Sequence, residues 1–267
     1  MSDALLWLLS IISKWVIIPL ILFGLASAIS YFFTEPKQNK QWAIEHALLP
    51  NILITGNKKN PEITLKNVRD FNWITTNDKK VHYQETQFQL KDIKGLKAVV
   101  SHFSVISEIA HVYIIFTLND GREFAVSIEA RREQDEGFSL HGGLFAKFEI
   151  IYVLATPKDL LDIRKKNNES VHIYPIKVTT EKSQELFLLI AQNINALTQK
   201  PALYHLFFKN CTNQLVKHVS ILTEEKYPWY FQTIAPGKTG KLLFDLGLID
   251  LPDTSFDSIQ TKTLIKQ

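Results

Sequence analysis

His111–Ala130 reads HVYIIFTLNDGREFAVSIEA, two apolar stretches joined by Asn119-Asp120-Gly121. β-Branched and aromatic side chains suit a pleated strand, and Asn-Asp-Gly supplies a turn that accepts positive φ, so this stretch predicts a β-hairpin. With Gly121 as the left-handed residue of a three-residue loop, Leu118 faces Arg122 and counting back sets His111 opposite Glu129. A two-residue Asp120-Gly121 loop would turn Glu129 to the other face instead.

Outward from the hairpin, Glu62–Asn72, Gln84–Leu90, Ala98–Phe103, Phe148–Leu154 and Val171–Ile176 also read as strands. Gln41–Leu48 reads as a short helix closed by Pro50, and Pro157–Lys165 as a helix entered through proline. Thr180–Leu197 is the clearest soluble helix, with a threonine cap and an apolar stripe at Leu186, Leu189, Ile190, Ile194 and Leu197. This pattern predicts an α+β class with an antiparallel sheet packed on helices.

The N-terminus is different in kind. Trp15–Phe33, WVIIPLILFGLASAISYFF, carries no formal charge. At about 1.5 Å per residue it matches the ~30 Å hydrocarbon core of a bilayer. MSDALLWLLS lacks the basic start of a signal peptide, and the apolar run continues past the small-residue site Ala26-Ser27-Ala28, so an uncleaved anchor is expected over a signal sequence. Pro19 is a candidate kink. Charges on the two sides, Lys14 against Lys37 and Lys40, do not decide orientation. The expected organisation is an anchor over residues 1–36 with its helix at about 15–33, one globular domain over 37–255, and a tail over 256–267.

Composition narrows the function. Thirty basic against 27 acidic residues give a formal charge of +3 with no long single-sign run, so nucleic acid is not an expected partner. No phosphate-binding glycine loop, HExxH helix or CxxC pair occurs, so neither cofactor nor metal is expected.

The single cysteine, Cys211, follows Asn210, a good N-cap, and Leu215, Val219 and Leu222 recur from it at helical spacing. The thiol is therefore expected in the first helical turn, facing the core, where the dipole and free N–H groups favour a nucleophilic thiolate. The plainer reading of Cys211 is a small buried hydrophobe.

A cysteine nucleophile needs a base. His46, His82 and His141 read as solvated, His172 and His205 as partly buried structural residues. His218 is two turns along the same helix, about 10 Å from Cys211. His102 and His111 remain, and His111 opens the hairpin strand. Glu129 is the residue expected to orient it, with a salt bridge to Arg131 or Arg132 as the alternative role for Glu129 and Ser127 as the alternative third residue. Arg69, Arg131 and Arg132, with Asn210 and Tyr152, are the candidate substrate-binding residues, the arginines because a guanidinium suits a phosphate.

The succession QWAIEHALLP, ITLKNVRDFNW, IAHVYIIFTLNDGREFAVSIEARRE, FEIIYVLATPKDLLDIR, VHIYPI, PALYHLFFKNCTNQLVKHV and PGKTGKLLFDLGLID resembles the Lnb N-terminal periplasmic domain family over about residues 40–251. The resemblance implies a bacterial inner-membrane, single-pass protein with its domain in the periplasm, similar to a lipoprotein N-acyltransferase. It also implies a papain-like, permuted NlpC/P60-like arrangement in which a strand histidine, here His111, serves a helix cysteine, here Cys211, that becomes an acyl thioester. The chain departs from the family's pattern at Asn213, where NCTT is NCTN, and at His205-Leu206 in place of asparagine-threonine. The longer membrane-embedded C-terminal region of Lnb is not within these residues, so a hydrolase stays open beside a transferase.

The leading expectation is a membrane-anchored thiol acyltransferase whose partner is membrane lipid, with a lipoprotein or peptide as a further substrate. The alternatives are a cysteine amidase or peptidase of envelope peptides, or a non-catalytic binding module.

Overall fold

The computed structural model describes residue 7 and residues 12–37, 39–223 and 235–265. The side chain of Leu222 and most of the opening decapeptide, both used in the sequence analysis, lie outside the described residues. A π-helical turn at Ser13–Ile17 leads into helix α1, Ile18–Phe33. Pro19 follows the π turn directly, and the widened turn accommodates the helical bond that its missing N–H cannot make.

The domain is built on one large sheet. Its strands are β1 (Asn51–Thr55), β2 (Glu62–Arg69), β5 (Tyr83–Gln89), β6 (Ile93–His102), β7 (His111–Leu118), β8 (Glu123–Arg131), β9 (Glu149–Ala155) and β10 (Ser170–Pro175). A separate ribbon pairs β3 (Asn72–Trp73) with β4 (Lys79–Lys80). The order across the sheet is β1-β2-β9-β8-β7-β6-β10, with β5 also on β2. Every pairing is antiparallel except the meeting of β2 with β9, parallel at Arg69 and Ala155, so the sheet is mixed rather than wholly antiparallel.

Helices cover both faces. On one, α4 (Thr180–Gln199) and α5 (Cys211–Thr223) pack over Ile114, Phe116, Phe124 and Val126. On the other, Leu160 of α3 (Pro157–Lys166) packs with Tyr113, Ile115, Ala125, Ile151 and Val153. Burial from both sides explains why FEIIYVL is apolar without alternation: β9 is buried at every position. In α4 the buried stripe is Leu186, Phe187, Ile190, Ala191 and Ile194, with Leu189 at the rim, and Thr179 is the cap.

The hairpin has the three-residue loop. The Leu118 N–H donates to the Arg122 carbonyl at 2.9 Å, and Gly121 has φ +84°. The ladder runs from Thr117↔Glu123 to Ile114↔Val126 and stops, although β7 stays paired to β6 as far as His111 and β8 to β9 as far as Arg131. Beyond Ile114 the two hairpin strands therefore part. α5 contacts both of them.

Several expectations change. Gln41–Leu48 contributes only a 3-10 turn at Ile44–His46, because Ala43 N–H is taken by the Arg132 carbonyl and Trp42 bridges Glu133. The segment expected as a tail contains α7 (Phe256–Thr263), whose Ile259 is buried; beyond it Ile265 N–H donates to the Val171 carbonyl and covers the β10 edge. Two short helices, α2 (Leu140–Leu144) and α6 (Thr239–Asp245), had no reading in the sequence.

Helix α1 docks on the domain. Ser27 Oγ donates to the Leu144 carbonyl at 2.7 Å and Ser30 Oγ to the Phe145 carbonyl at 2.8 Å, while Tyr31 packs on His205 and Phe208.

Candidate functional site

Where β7 and β8 part, a pocket of about 760 Å³ opens, lined by His111, Glu129, Tyr204, Asn210 and Cys211 together with Phe103, Leu140 and Phe207. Cys211 is the first residue of α5, held there by reciprocal capping. Asn213 N–H donates to Asn210 Oδ1 and Asn210 N–H to Asn213 Oδ1, both at 2.8 Å. Asn213, at which the chain departs from NCTT, is thus half of the cap.

The sulfur of Cys211 lies 3.6 Å from Thr212 Oγ1, under the influence of the backbone N–H groups of Thr212 and of Val112, the residue after His111. Burial nevertheless pushes its pKa up, against the lowering by these donors. The helix N-terminus does not produce a resting thiolate, because desolvation of the sulfur outweighs it.

His111 leaves β7 on the face of Tyr113, on which its ring stacks, whereas Cys211 packs in the cluster of the opposite face. The gap between the strands is where the two residues share a pocket. The hydrogen-bond network assigns the imidazole's tautomer. Beginning at the far end, His46 Nδ1 accepts from Arg132 N–H at 3.0 Å, so the proton of His46 is on Nε2 and goes to Glu129 Oε2 at 3.1 Å. Glu129 Oε1 accepts from the Ser127 hydroxyl at 2.8 Å. The Ser127 oxygen, its one proton committed, accepts from His111 Nε2 at 2.7 Å. His111 Nδ1 is left with the basic lone pair.

Burial, and then the Arg164 cation, push the His111 pKa down to about 4, so the ring is neutral at ordinary pH. Glu129 is held well below the usual carboxylate range by His46, Arg164 and Arg69, against its own desolvation. It sits 3.9 Å from His111 Nε2, so Ser127 makes the direct contact. Arg131 and Arg132 are not its partners: the near cation is Arg164, at 3.6 Å.

The other candidates are placed as follows. Arg69 is buried and bidentate on Asp159, which also accepts from Phe71 N–H and Trp73 Nε1. Arg131 is buried beside Glu149 and under the Trp42 ring, 3.9 Å from its centre. Arg132 pairs with Glu45 and lines the pocket. Tyr152 is buried, its hydroxyl 3.0 Å from His218 Nε2. A second, more polar pocket of about 1050 Å³ shares Glu129, Arg132, Arg164 and Asn167 with the first. Among the described residues no histidine, cysteine and carboxylate groups assemble as metal ligands.

Two members of the network escaped sequence reasoning. His46, expected in solvent, is 1% exposed, because the 3-10 turn folds it under Arg132. Arg164 lies within the Pro157–Lys165 helix expected from the sequence, and no local signal there points it at Glu129. The one signal for His46 was its place in QWAIEHALLP, among the stretches that carry the family resemblance.

Neither a curated protein nor a solved structure matches the chain. A family model does: that of the Lnb N-terminal periplasmic domain matches residues 79–237, a span that includes the hairpin, the NCTN turn and most of the residues around Cys211. Since that match covers more than half of the 267 residues, the chain belongs to the Lnb N-terminal periplasmic domain family.

Proposed function

We propose that this protein is a cysteine-dependent acyl-transfer enzyme of a bacterial inner membrane, anchored by α1 with its domain in the periplasm, and that it acts on a lipid or lipoprotein ester. The observation that carries the reading is that Cys211, at the start of α5, and His111, at the start of β7, line one pocket, with His111 Nε2 tied to Ser127 so that Nδ1 is left as base. A neutral thiol that shares a pocket with a neutral imidazole suits general-base attack rather than a preformed ion pair.

The sulfur attacks the ester carbonyl as His111 Nδ1 takes the thiol proton. The tetrahedral centre collapses by losing the alkoxide, which receives that proton from His111, and a Cys211 thioester remains. An acceptor amine then attacks the thioester carbonyl, gives a proton to His111 Nδ1, and the sulfur leaves and is reprotonated. Arg132, at the pocket wall, is the arginine placed to meet a phosphate; Arg69 and Arg131 serve the framework. Support for an apolar acyl group comes from the lining by Phe103, Phe138, Leu140, Leu144 and Phe207.

Intact-mass analysis of the membrane-purified full chain tests this. The expected result is an acyl adduct that hydroxylamine removes and Cys211→Ala abolishes. A second reading, a cysteine amidase of envelope peptides, is favoured by the polar pocket that adjoins at Glu129 and Arg164. It wins if no phospholipid or lipoprotein yields an adduct and peptides are cleaved in a Cys211-dependent way.

A further inference from the structure

The 21-residue helical stretch Ser13–Phe33 is long and apolar enough to cross a membrane, yet its final turns are not free of the domain. Ser27 and Ser30, one turn apart, are hydrogen bonded to the carbonyls of Leu144 and Phe145 at the end of α2. If the span ends near Phe33, Ser27 lies six residues, or about 9 Å, below that level. Whatever is bonded to Ser27 lies at the same depth. Elements that rest in a membrane interface sink about 5–10 Å into it.

The domain residues around the adjoining Cys211 pocket are suited to lipid. Leu140 on α2 is 53% exposed, Phe207 49% and Phe208 48%, and Val105 and Ile106 project from the loop between β6 and β7. Exposed apolar groups on three separate segments around one pocket are more than the scattered single residues of an ordinary surface. The backbone here is also provided for. Carbonyls at the end of a helix lack helical partners and are expensive to leave bare in hydrocarbon, and α1 supplies hydroxyl donors to two of them. Ser27 Oγ is in turn 3.0 Å from His205 Nε2, whose Nδ1 accepts from Phe207 N–H at 3.1 Å. Lys209 follows Phe207-Phe208 directly, where a long cationic side chain can reach back to headgroups.

We propose that α2, the turn at residues 204–209 and the loop at residues 103–109 are inserted in the same leaflet that α1 leaves, so that the domain is partly sunk in the bilayer rather than tethered above it. The Cys211 pocket, lined by Phe103, Leu140, Leu144 and Phe207, then opens toward the acyl layer. The reading rests on α1 being retained, and its relevance to chemistry, though not its truth, rests on the acyl-transfer function.

The test uses the full chain in vesicles of phosphatidylethanolamine and phosphatidylglycerol, with Cys211→Ser removing the native thiol. A fluorophore is placed at Val105→Cys, Phe207→Cys or, as an exposed control remote from α1, Lys58→Cys. Lipids carrying a nitroxide high on the acyl chain should quench the labels at 105 and 207 several-fold more than the label at 58, and aqueous iodide should show the reverse order. Equal quenching of all three labels, or a mass showing that the span has been removed, overturns the proposal. Because the readout is depth, a failed adduct assay leaves it standing, and equal quenching leaves the thioester chemistry standing.

Discussion

His111 Nε2 lies 2.7 Å from Ser127 Oγ and 3.9 Å from Glu129 Oε1, so the carboxylate acts on the imidazole through a hydroxyl. Glu129 is opposite His111 by register count, but the strands have parted before that level and Ser127 fills the space. The ring is oriented by a serine, and the serine by a half-buried carboxylate.

His111→Ala should lower kcat/KM by ~10²–10⁴, the usual contribution of a positioned general base. Ser127→Ala should fall between that variant and the native protein, because the ring stays present but loses its fixed orientation. Part of the His111→Ala loss should return at alkaline pH, where thiolate forms without a base. Steady-state rates across pH check this; equal rates for Ser127→Ala and the native enzyme would remove the serine from the mechanism.

The pH–rate profile should be flat through neutrality and fall as pH drops through about 4, where His111 takes a proton on Nδ1 and ceases to be a base. A fall centred near the ordinary histidine value of 6.5 would mean that the ring is not buried as found here.

Arg69 and Arg132 should separate in their effects. Arg69→Ala or Asp159→Asn breaks a buried, multiply bonded pair and should lower unfolding free energy by about 3–5 kcal/mol. Arg132→Ala should leave the melting temperature close to native and raise KM. Thermal unfolding beside kinetics distinguishes them.

Stability itself should depend on pH. His46 and His111 both have pKa values lowered by burial, so below about 6.5 the unfolded chain binds protons that the folded chain refuses. Their contribution is complete above 6.5 and is lost as pH falls from there toward 4. His46→Ala should lower stability by about 1–3 kcal/mol at neutral pH by stranding Glu129 Oε2 and Arg132 N–H, and should reduce this slope. Urea unfolding between pH 7 and 5 measures both.

The parts of this site that could be read in the sequence are those whose signals are local. Asn119-Asp120-Gly121 marks the loop and narrows the register to two, and Asn210-Cys211 marks a helix start, so Cys211 and His111 could be named together, with Glu129 in one of the two registers. The parting of β7 and β8 has no local signal, since the same residues would suit an unbroken ladder. Arg69 with Asp159, and His46 with Glu129, are joined across 90 and 83 positions, and nothing near either member names its partner. For the thiol, both the helix end and the core-facing side can be read in the sequence, but not which of the two opposing influences on its pKa is larger.

The single parallel meeting of Arg69 with Ala155 also bears on how the molecule assembles. Strands β6 to β9 form a meander in which every strand pairs with its neighbour in sequence, with β10 closing on β6, so most contacts of this half are local. Strands β1, β2 and β5 make their own antiparallel leaf, and the leaf joins the meander at one ladder position reinforced by the four bonds of Asp159. Phe88 of the leaf also stacks on Phe124, and Asn195 of α4 binds both backbone groups of Ile52, so the leaf shares the main core and only the exposed end of its edge strand β1, at residues 53–55, should exchange with solvent well before β7 and β8.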